Sequence, residues 1–206
     1  MATKSSVLPI VSKVYCAPSD VILAVRRRPN VANGGGFVVA DAAQRVLFRV
    51  DGCGVIGKKD ELILKDGDGN ALLLIRRKGG TIEALSLTRK WKGFVYDFVG
   101  SEKLVFTLKE PNSCFLTQNV FRISVESKEL CSHGSFEVHG DFPARACTIV
   151  SPMGDVVALI GVNKEMQRLM RTRDMYHVEI KAGFDQAFVF GVIAVLDYIY
   201  DGSTRC

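Results

Sequence analysis

Lysine and arginine residues occur in clusters in this sequence, and their type and spacing suggest the binding of anionic groups. Six of these cations lie close together in the middle of the chain, and Trp91 lies between two of the lysines. Cations grouped in this way bind phosphoinositide headgroups, and each charge near an anionic membrane contributes about 1 kcal/mol. We therefore predict a phosphoinositide-binding site formed by Arg76, Arg77, Lys78, Arg89, Lys90 and Lys92.

The charge distribution agrees with this prediction but leaves alternatives open. The chain has 206 residues and a net charge of +5, with +7 in residues 1–103 and −2 in residues 104–206. A basic half suggests a phosphate-bearing partner, either a lipid headgroup or a nucleic acid. The alternative is a solvated surface whose strand edges are protected by charge against aggregation. Trp91 is either a membrane-interface anchor or a core residue.

Motifs that mark enzymes, nucleotide sites or metal sites lack their required context. The glycines of residues 52–57 match a dinucleotide fingerprint, but no helix pattern follows them. Residues 66–70 begin like a calcium loop, but Ala71 and Arg77 stand where glycine and glutamate are required. The spacing of Cys131, His133, His139 and Cys147 is not that of a zinc site. We therefore expect no enzymatic activity, no metal and no cofactor.

The sequence also gives no sign of a signal peptide, a Cys-x-x-Cys pair or a membrane span. The N-terminal apolar stretch is too short for a signal peptide, and the six cysteines show no Cys-x-x-Cys pair. The longest apolar run covers only residues 187–196, and a membrane-spanning helix needs about 20 apolar residues. We expect a monomer without a transmembrane span. Its predicted location is the cytoplasm, with the plasma-membrane surface or the nucleus as alternatives.

Most of the chain has the two-residue alternation of short β-strands. Four pairs of apolar runs flank turns rich in Gly, Asp, Asn or Ser, which predicts four β-hairpins. The hairpin strands are predicted at 36–40 and 45–50, 62–65 and 71–75, 93–98 and 103–108, and 146–150 and 156–160. Further strands are predicted at 21–27, 82–88, 121–126, 135–139 and 176–181.

One segment near the C-terminus has a different pattern. Asp185 is a suitable helix N-cap, and the residues that follow it are apolar on every side. A helix of that kind must be buried all round, and a closed barrel of about twelve strands has a lumen that needs filling. We therefore predict a mainly β fold, with an antiparallel β-barrel of about twelve strands enclosing a central hydrophobic α-helix. A central strand pair is the alternative interpretation.

An ordered series of short motifs carries a resemblance to a known family. It runs from about residue 15 to about residue 200 with compatible spacings. The motifs are Tyr15-Cys16-Ala17-Pro18, Leu47-Phe48-Arg49-Val50-Asp51-Gly52, Gly69-Asn70-Ala71-Leu72-Leu73, Arg76-Arg77-Lys78, Ser135-Phe136-Glu137-Val138, Ala146-Cys147-Thr148-Ile149 and Phe184-Asp185-Gln186-Ala187-Phe188.

By these motifs the chain resembles the plant LURP-one-related family, whose fold is similar to the tubby C-terminal domain and to phospholipid scramblases. One departure is Gln186, which stands where the family usually has an aromatic residue. The resemblance implies a twelve-stranded barrel around a hydrophobic helix and a link to plant defence. Tubby-like relatives tether to phosphoinositide membranes, and scramblases translocate lipid.

Together these observations predict a non-enzymatic tubby-like domain that binds anionic phospholipid peripherally and has a regulatory role in plant defence. Two alternatives remain open. One is a nucleic-acid-binding transcription regulator, and the other is a protein-interaction module without a lipid ligand. The predicted organisation is a flexible segment at 1–14, a single domain at 15–201 and a tail at 202–206.

Overall fold

The described residues form twelve β-strands followed by one long α-helix. The structure is a computed structural model and describes residues 9–28, 35–52, 60–78, 89–96, 100–111, 120–126, 134–162, 175–200 and 204. The strands are β1 (Val21–Arg28), β2 (Gly36–Ala40), β3 (Val46–Asp51), β4 (Glu61–Asp66), β5 (Ala71–Lys78), β6 (Lys90–Tyr96), β7 (Glu102–Lys109), β8 (Phe121–Val125), β9 (Phe136–Asp141), β10 (Ala146–Val150), β11 (Val156–Gly161) and β12 (Met175–Ile180). The helix is α1 (Gln186–Tyr200), and a 3₁₀ turn covers Lys13–Tyr15.

The strands close into an antiparallel up-and-down barrel. Each strand pairs with its neighbours in sequence, and β1 pairs with β12 to complete the ring. Closure leaves the sheet without an edge, because every strand has two partners. The predicted fold class is confirmed.

The predicted hairpins correspond to β2–β3, β4–β5, β6–β7 and β10–β11. The strands predicted singly at 21–27, 121–126, 135–139 and 176–181 correspond to β1, β8, β9 and β12. The strand predicted at 82–88 lies outside the described residues.

In the β4–β5 turn, the Asp66 carboxylate accepts hydrogen bonds from the backbone N–H groups of Asp68 and Asn70. The interpretation of residues 66–70 as a hairpin turn is therefore confirmed.

Helix α1 fills the interior of the barrel. Every residue from Ala187 to Asp197 is buried. Phe188 packs edge-to-face against Phe106 of β7 and Phe136 of β9, with ring centroids 5.6 and 5.1 Å apart. A Cβ on Gly191 would lie 2.6 Å from Leu73 Cδ2, so glycine lets the helix approach β5 closely. The helix prediction is confirmed, and the alternative of a central strand pair is wrong.

Asp185 fixes the start of the helix and the chain that precedes β1. Its carboxylate accepts hydrogen bonds from the N–H groups of Ala187 and Phe188, as an N-cap does. The other carboxylate oxygen accepts from the N–H groups of residues 10–12, at 2.7 to 3.0 Å. Burial raises the pKa of Asp185, while these amide donors oppose that rise. Residues 10–12 therefore contact the base of the helix, and the predicted domain limits stay predictions.

Among the described residues, no helix combines the length and apolar character that crossing a membrane requires.

Candidate anion-binding surface

The six predicted cations come together on two neighbouring strands. Strand β5 ends with Arg76, Arg77 and Lys78, and β6 starts at Lys90, directly after Arg89. The β5–β6 register places Arg76 opposite Lys92, Arg77 opposite Trp91 and Lys78 opposite Lys90. Two clusters that are separate in the sequence therefore form one region of the barrel.

Strand alternation divides this region between two faces. Leu73 and Ile75 of β5 are buried and reach the helix at Gly191, so they point into the barrel. Successive side chains of a strand point to opposite faces. Arg77 therefore points inward at the rim, whereas Arg76 and Lys78 point outward, and Lys90 and Lys92 opposite them share this outward direction.

The outward cations belong to a line that crosses four strands. Lys90 lies between Lys78 on β5 and Lys109 on β7, and Lys109 lies opposite Arg122 on β8. We call Lys78, Lys90, Lys109 and Arg122 the outer row. Neighbouring strands are about 4.8 Å apart, so the row spans about 15 Å of the barrel wall. Like charges directly opposite each other destabilise a sheet, and an anion lying across them would relieve the repulsion.

Carboxylates adjoin the outer row only at its margins among the described residues. Arg122 forms an ion pair with Glu137 of β9 at 3.2 Å. Arg76 contacts Glu61 at 3.0 Å and Glu102 at 2.7 Å. Burial tends to lower the pKa of Arg76, but the hydrogen bonds to these two carboxylates outweigh it and raise the pKa. Arg76 is therefore neutralised by its neighbours, whereas the centre of the row consists of facing lysines.

The inward cations lie at the mouth of the barrel where α1 ends. Arg77 and Arg89 line a cavity of about 330 Å³ together with Glu110, Tyr198 and Ile199. Arg77 forms an ion pair with Asp60 at 3.3 Å, and the hydroxyl of Tyr198 donates a hydrogen bond to the same Asp60 carboxylate. Among the described residues around this cavity, the carboxylates of Asp60 and Glu110 offset the guanidinium groups of Arg77 and Arg89.

Trp91 is a core residue. Its side chain is 0% exposed, its indole N–H donates to Glu110 at 2.9 Å, and its ring packs edge-to-face on Tyr198 at 4.8 Å. The alternative that Trp91 anchors the protein at a membrane interface is wrong, because strand alternation turns its side chain into the barrel while both flanking lysines point outward.

The chemistry of the two described thiols is suppressed by their surroundings. Burial raises the pKa of Cys147 to about 12 and that of Cys16 to about 11. The thiolate is the nucleophile, so neither sulfur is activated at neutral pH.

Of the residues considered as metal ligands, Cys131 and His133 lie outside the described residues. Within the described ranges, no group of three His, Cys, Asp or Glu side chains is arranged to hold a metal.

Two members of the outer row were missed by sequence reasoning. Lys109 ends β7, and Arg122 is the second residue of β8, so each is an isolated basic residue in the sequence. The signal that identifies them is the strand register, because they adjoin Lys90 only after β6, β7 and β8 are paired.

Known proteins resemble this chain along nearly its whole length. A family model described as LURP-one-related matches residues 21–197. Protein LURP-one-related 6 from Arabidopsis thaliana is 50% identical over 198 residues, which cover 96% of this chain and 98% of the relative. Protein LURP-one-related 16 from the same plant is 46% identical over 215 residues, covering 100% of each chain.

A solved structure agrees with the fold. The X-ray structure of a protein from Arabidopsis thaliana matches with a TM-score of 0.62 and 20% sequence identity, covering 93% of this chain and 98% of that one. At that identity the match supports the fold alone. The resemblance noted from the short motifs is confirmed by the family model and by the two relatives. The chain therefore belongs to the LURP-one-related family.

Proposed function

We propose that this protein is a non-enzymatic domain that binds anionic phospholipid, in particular phosphoinositide, at the membrane surface. The observation that carries the proposal is the outer row, in which Lys90 and Lys109 each face a cation on both sides. At about 1 kcal/mol for each cation, these two lysines would contribute about 2 kcal/mol, or about thirtyfold in affinity.

The direction of these side chains favours a surface over an enclosed ligand. The row lies on the outer wall of the barrel, and lysine side chains extend a charged end from an apolar stem. A phosphoinositide headgroup concentrates several negative charges in a small area, which suits cations about 4.8 Å apart on neighbouring strands. Arg76 and Lys92 flank the row on the same wall. Arg77 and Arg89 take a structural role at the mouth in this proposal.

The same proposal includes a regulatory role in plant defence and a location on the cytoplasmic side of the plasma membrane. The support for them is family membership, shared with relatives from Arabidopsis thaliana. Peripheral binding is favoured over a lipid-translocating activity, because the apolar helix is enclosed by the barrel and is not available to lipid.

Vesicle co-sedimentation tests the proposal. The full chain is mixed with vesicles of phosphatidylcholine alone, with added phosphatidylserine, or with added phosphatidylinositol bisphosphate at matched surface charge, each at low and at physiological salt. We expect binding to both anionic compositions at low salt, and the strongest binding to phosphoinositide at physiological salt. Equal sedimentation with neutral and anionic vesicles would contradict the proposal.

A duplex DNA competitor separates the nucleic-acid alternative. Phosphate contacts to DNA give a steep dependence of affinity on salt. We expect phosphoinositide vesicles to retain the protein at physiological salt in the presence of DNA. Complete displacement by DNA would favour a nucleic-acid-binding function and contradict the lipid proposal.

A further inference from the structure

The two ends of the barrel are distinguished by the direction of α1. At the mouth, where α1 ends, Tyr198 packs on Trp91 at the start of β6. At the opposite end, which we call the far end, Asp185 directly precedes α1 and pairs with Cys16 ahead of β1. Because neighbouring strands are antiparallel round the ring, the odd-numbered strands end at the mouth and the even-numbered strands start there.

The strand termini at these two ends carry opposite charge. At the mouth, the two terminal residues of each strand include seven cations and three carboxylates. The cations are the outer row with Arg27, Arg28 and Arg77, and the carboxylates are Asp51, Glu61 and Asp141. The same positions at the far end include two cations, Lys65 and Lys103, and four carboxylates, Asp66, Glu102, Glu137 and Glu179.

The described residues beyond the strands keep this difference. The mouth gains Arg89 and Arg145 against Asp60, Glu110 and Asp197, so its net charge is +3. The far end gains three cations and six carboxylates, so its net charge is −5. The cations are Lys13, Arg45 and Lys181, and the carboxylates are Asp20, Asp41, Asp68, Glu126, Asp155 and Asp185. A six-residue strand is about 20 Å long, so the two charges are well separated.

The helix accounts for only part of the positive charge at the mouth. The C-terminus of an α-helix carries about half a negative charge, and nearby cations stabilise it. The net charge of +3 at the mouth is several times larger than that half charge. The excess is therefore available to an external anionic surface.

An exposed aromatic side chain lies beside the outer row at the mouth. Tyr200, the last residue of α1, is 41% exposed. Its ring packs edge-to-face on Phe121 at 5.9 Å and stacks on Phe142 at 6.2 Å. Phe121 directly precedes Arg122, the end member of the outer row. Tyrosine is enriched at membrane interfaces, where its amphipathic ring lies at the level of the headgroups.

We propose that the barrel docks on an anionic membrane with its mouth toward the lipid, tilted so that the outer row contacts the headgroups and Tyr200 enters the interface beside Arg122. The inference rests on the proposed phospholipid binding and names the part of the barrel that meets the bilayer. An anionic surface attracts the mouth and repels the far end, so the approach is oriented before a headgroup is bound. Arg77 stays paired with Asp60 inside the rim.

Two tyrosines at opposite ends of the barrel test this orientation. Tyr96 ends β6 at the far end and is 47% exposed, so it is a matched control for Tyr200. Tyr200→Trp, Tyr96→Trp and the natural chain, whose one tryptophan is buried, are bound to phosphoinositide vesicles that contain brominated phosphatidylcholine. We expect bromine to quench Tyr200→Trp beyond the natural chain and to leave Tyr96→Trp at the level of the natural chain. Equal quenching of the two variants, or stronger quenching of Tyr96→Trp, would overturn the orientation.

Hydrogen exchange on the natural chain gives the same test without a substitution. The turn at 142–145 follows β9 at the mouth, and the turn at 151–155 follows β10 at the far end. We expect amide exchange to slow at 142–145 when phosphoinositide vesicles are added and to stay unchanged at 151–155. The same change in both turns, or slower exchange at 151–155 alone, would overturn the orientation.

Co-sedimentation of the same samples separates the two proposals. No binding to phosphoinositide vesicles would refute the phospholipid function and the orientation together. Binding with the opposite quenching and exchange pattern would overturn the orientation alone.

Discussion

The cations at the barrel mouth and those of the outer row have the same charge but opposite surroundings. Inside the rim, Arg77 contacts Asp60, and Arg27 lies 3.4 Å from the fully buried carboxylate of Asp197 on α1. On the outer wall, Lys90 and Lys109 face other cations. Arg27 and Arg77 have carboxylate partners that tie them to the fold. Lys90 and Lys109 face like charges and are available to an external anion.

The largest expected effect distinguishes two adjacent arginines. Arg27 points into the barrel toward Asp197, and Arg26 points outward. We expect Arg27→Met to lower the free energy of unfolding by about 3 kcal/mol, because removing one partner of a buried ion pair is strongly destabilising. Arg26→Met, its matched control, should change the free energy of unfolding by less than about 0.5 kcal/mol. Urea unfolding measures both, and equal effects would refute the structural role of the mouth cations.

A smaller and opposite effect is expected in the outer row. Lys90→Gln/Lys109→Gln removes the two cations that have like charges on both sides. We expect this variant to be as stable as the natural chain or more stable, by up to about 1 kcal/mol at low salt. The gain should shrink at high salt, because salt screens repulsion between exposed charges. Urea unfolding at two salt concentrations checks this, and a marked loss of stability would show that the lysines hold the fold together.

The smallest expected effect is on the pKa of Asp51, whose carboxylate is shared by two cations of the outer wall, Arg28 and Lys65. Asp51 contacts Arg28 at 2.5 Å and Lys65 at 2.8 Å. Burial tends to raise the pKa of Asp51, but hydrogen bonds from Lys65 and Arg28 outweigh it and lower the pKa. The resulting stabilisation is complete above the unfolded-state pKa of about 3.9 and is lost as the pH falls through the folded-state pKa.

A ¹³C titration of the Asp51 carboxyl group tests this assignment. We expect its midpoint below the ordinary aspartate value, and Lys65→Met should move the midpoint upward. Lys90→Met, which removes a lysine of the outer row, is the control and should leave the Asp51 midpoint in place. A midpoint that is the same with and without Lys65 would argue against the ion pair.

Much of the fold follows from local pattern in the sequence. The turns at 41–44, 66–70 and 151–155 are bounded by alternating runs, and Asp185 stands directly before an all-apolar segment, so hairpins and a buried helix were predictable. Closure of the ring was inferred from the need to enclose that helix and from the family resemblance, and no local pattern in β1 or β12 indicated it. The register between strands was not predictable, because it depends on contacts between distant residues.

The candidate site was only partly predictable for the same reason. Residues 72–75 are Leu-Leu-Leu-Ile, a continuous apolar run that does not reveal which side chains point inward. Arg76-Arg77-Lys78 therefore looked like one cluster, although alternation places Arg77 at the mouth and Lys78 on the outer wall. Lys109 and Arg122 carried no local signal, because only pairing across β6, β7 and β8 brings them into line.

The most direct test compares the two regions in one binding experiment. Lys90→Gln/Lys109→Gln and Arg77→Gln/Arg89→Gln each remove two positive charges, one pair from the outer row and one from the mouth. Both variants are checked for cooperative unfolding and then co-sedimented with phosphoinositide vesicles at physiological salt. At about 1 kcal/mol for each cation, the row variant should lose about thirtyfold in affinity, and the mouth variant should retain most of its binding. Loss of binding in the mouth variant together with full binding in the row variant would contradict the account.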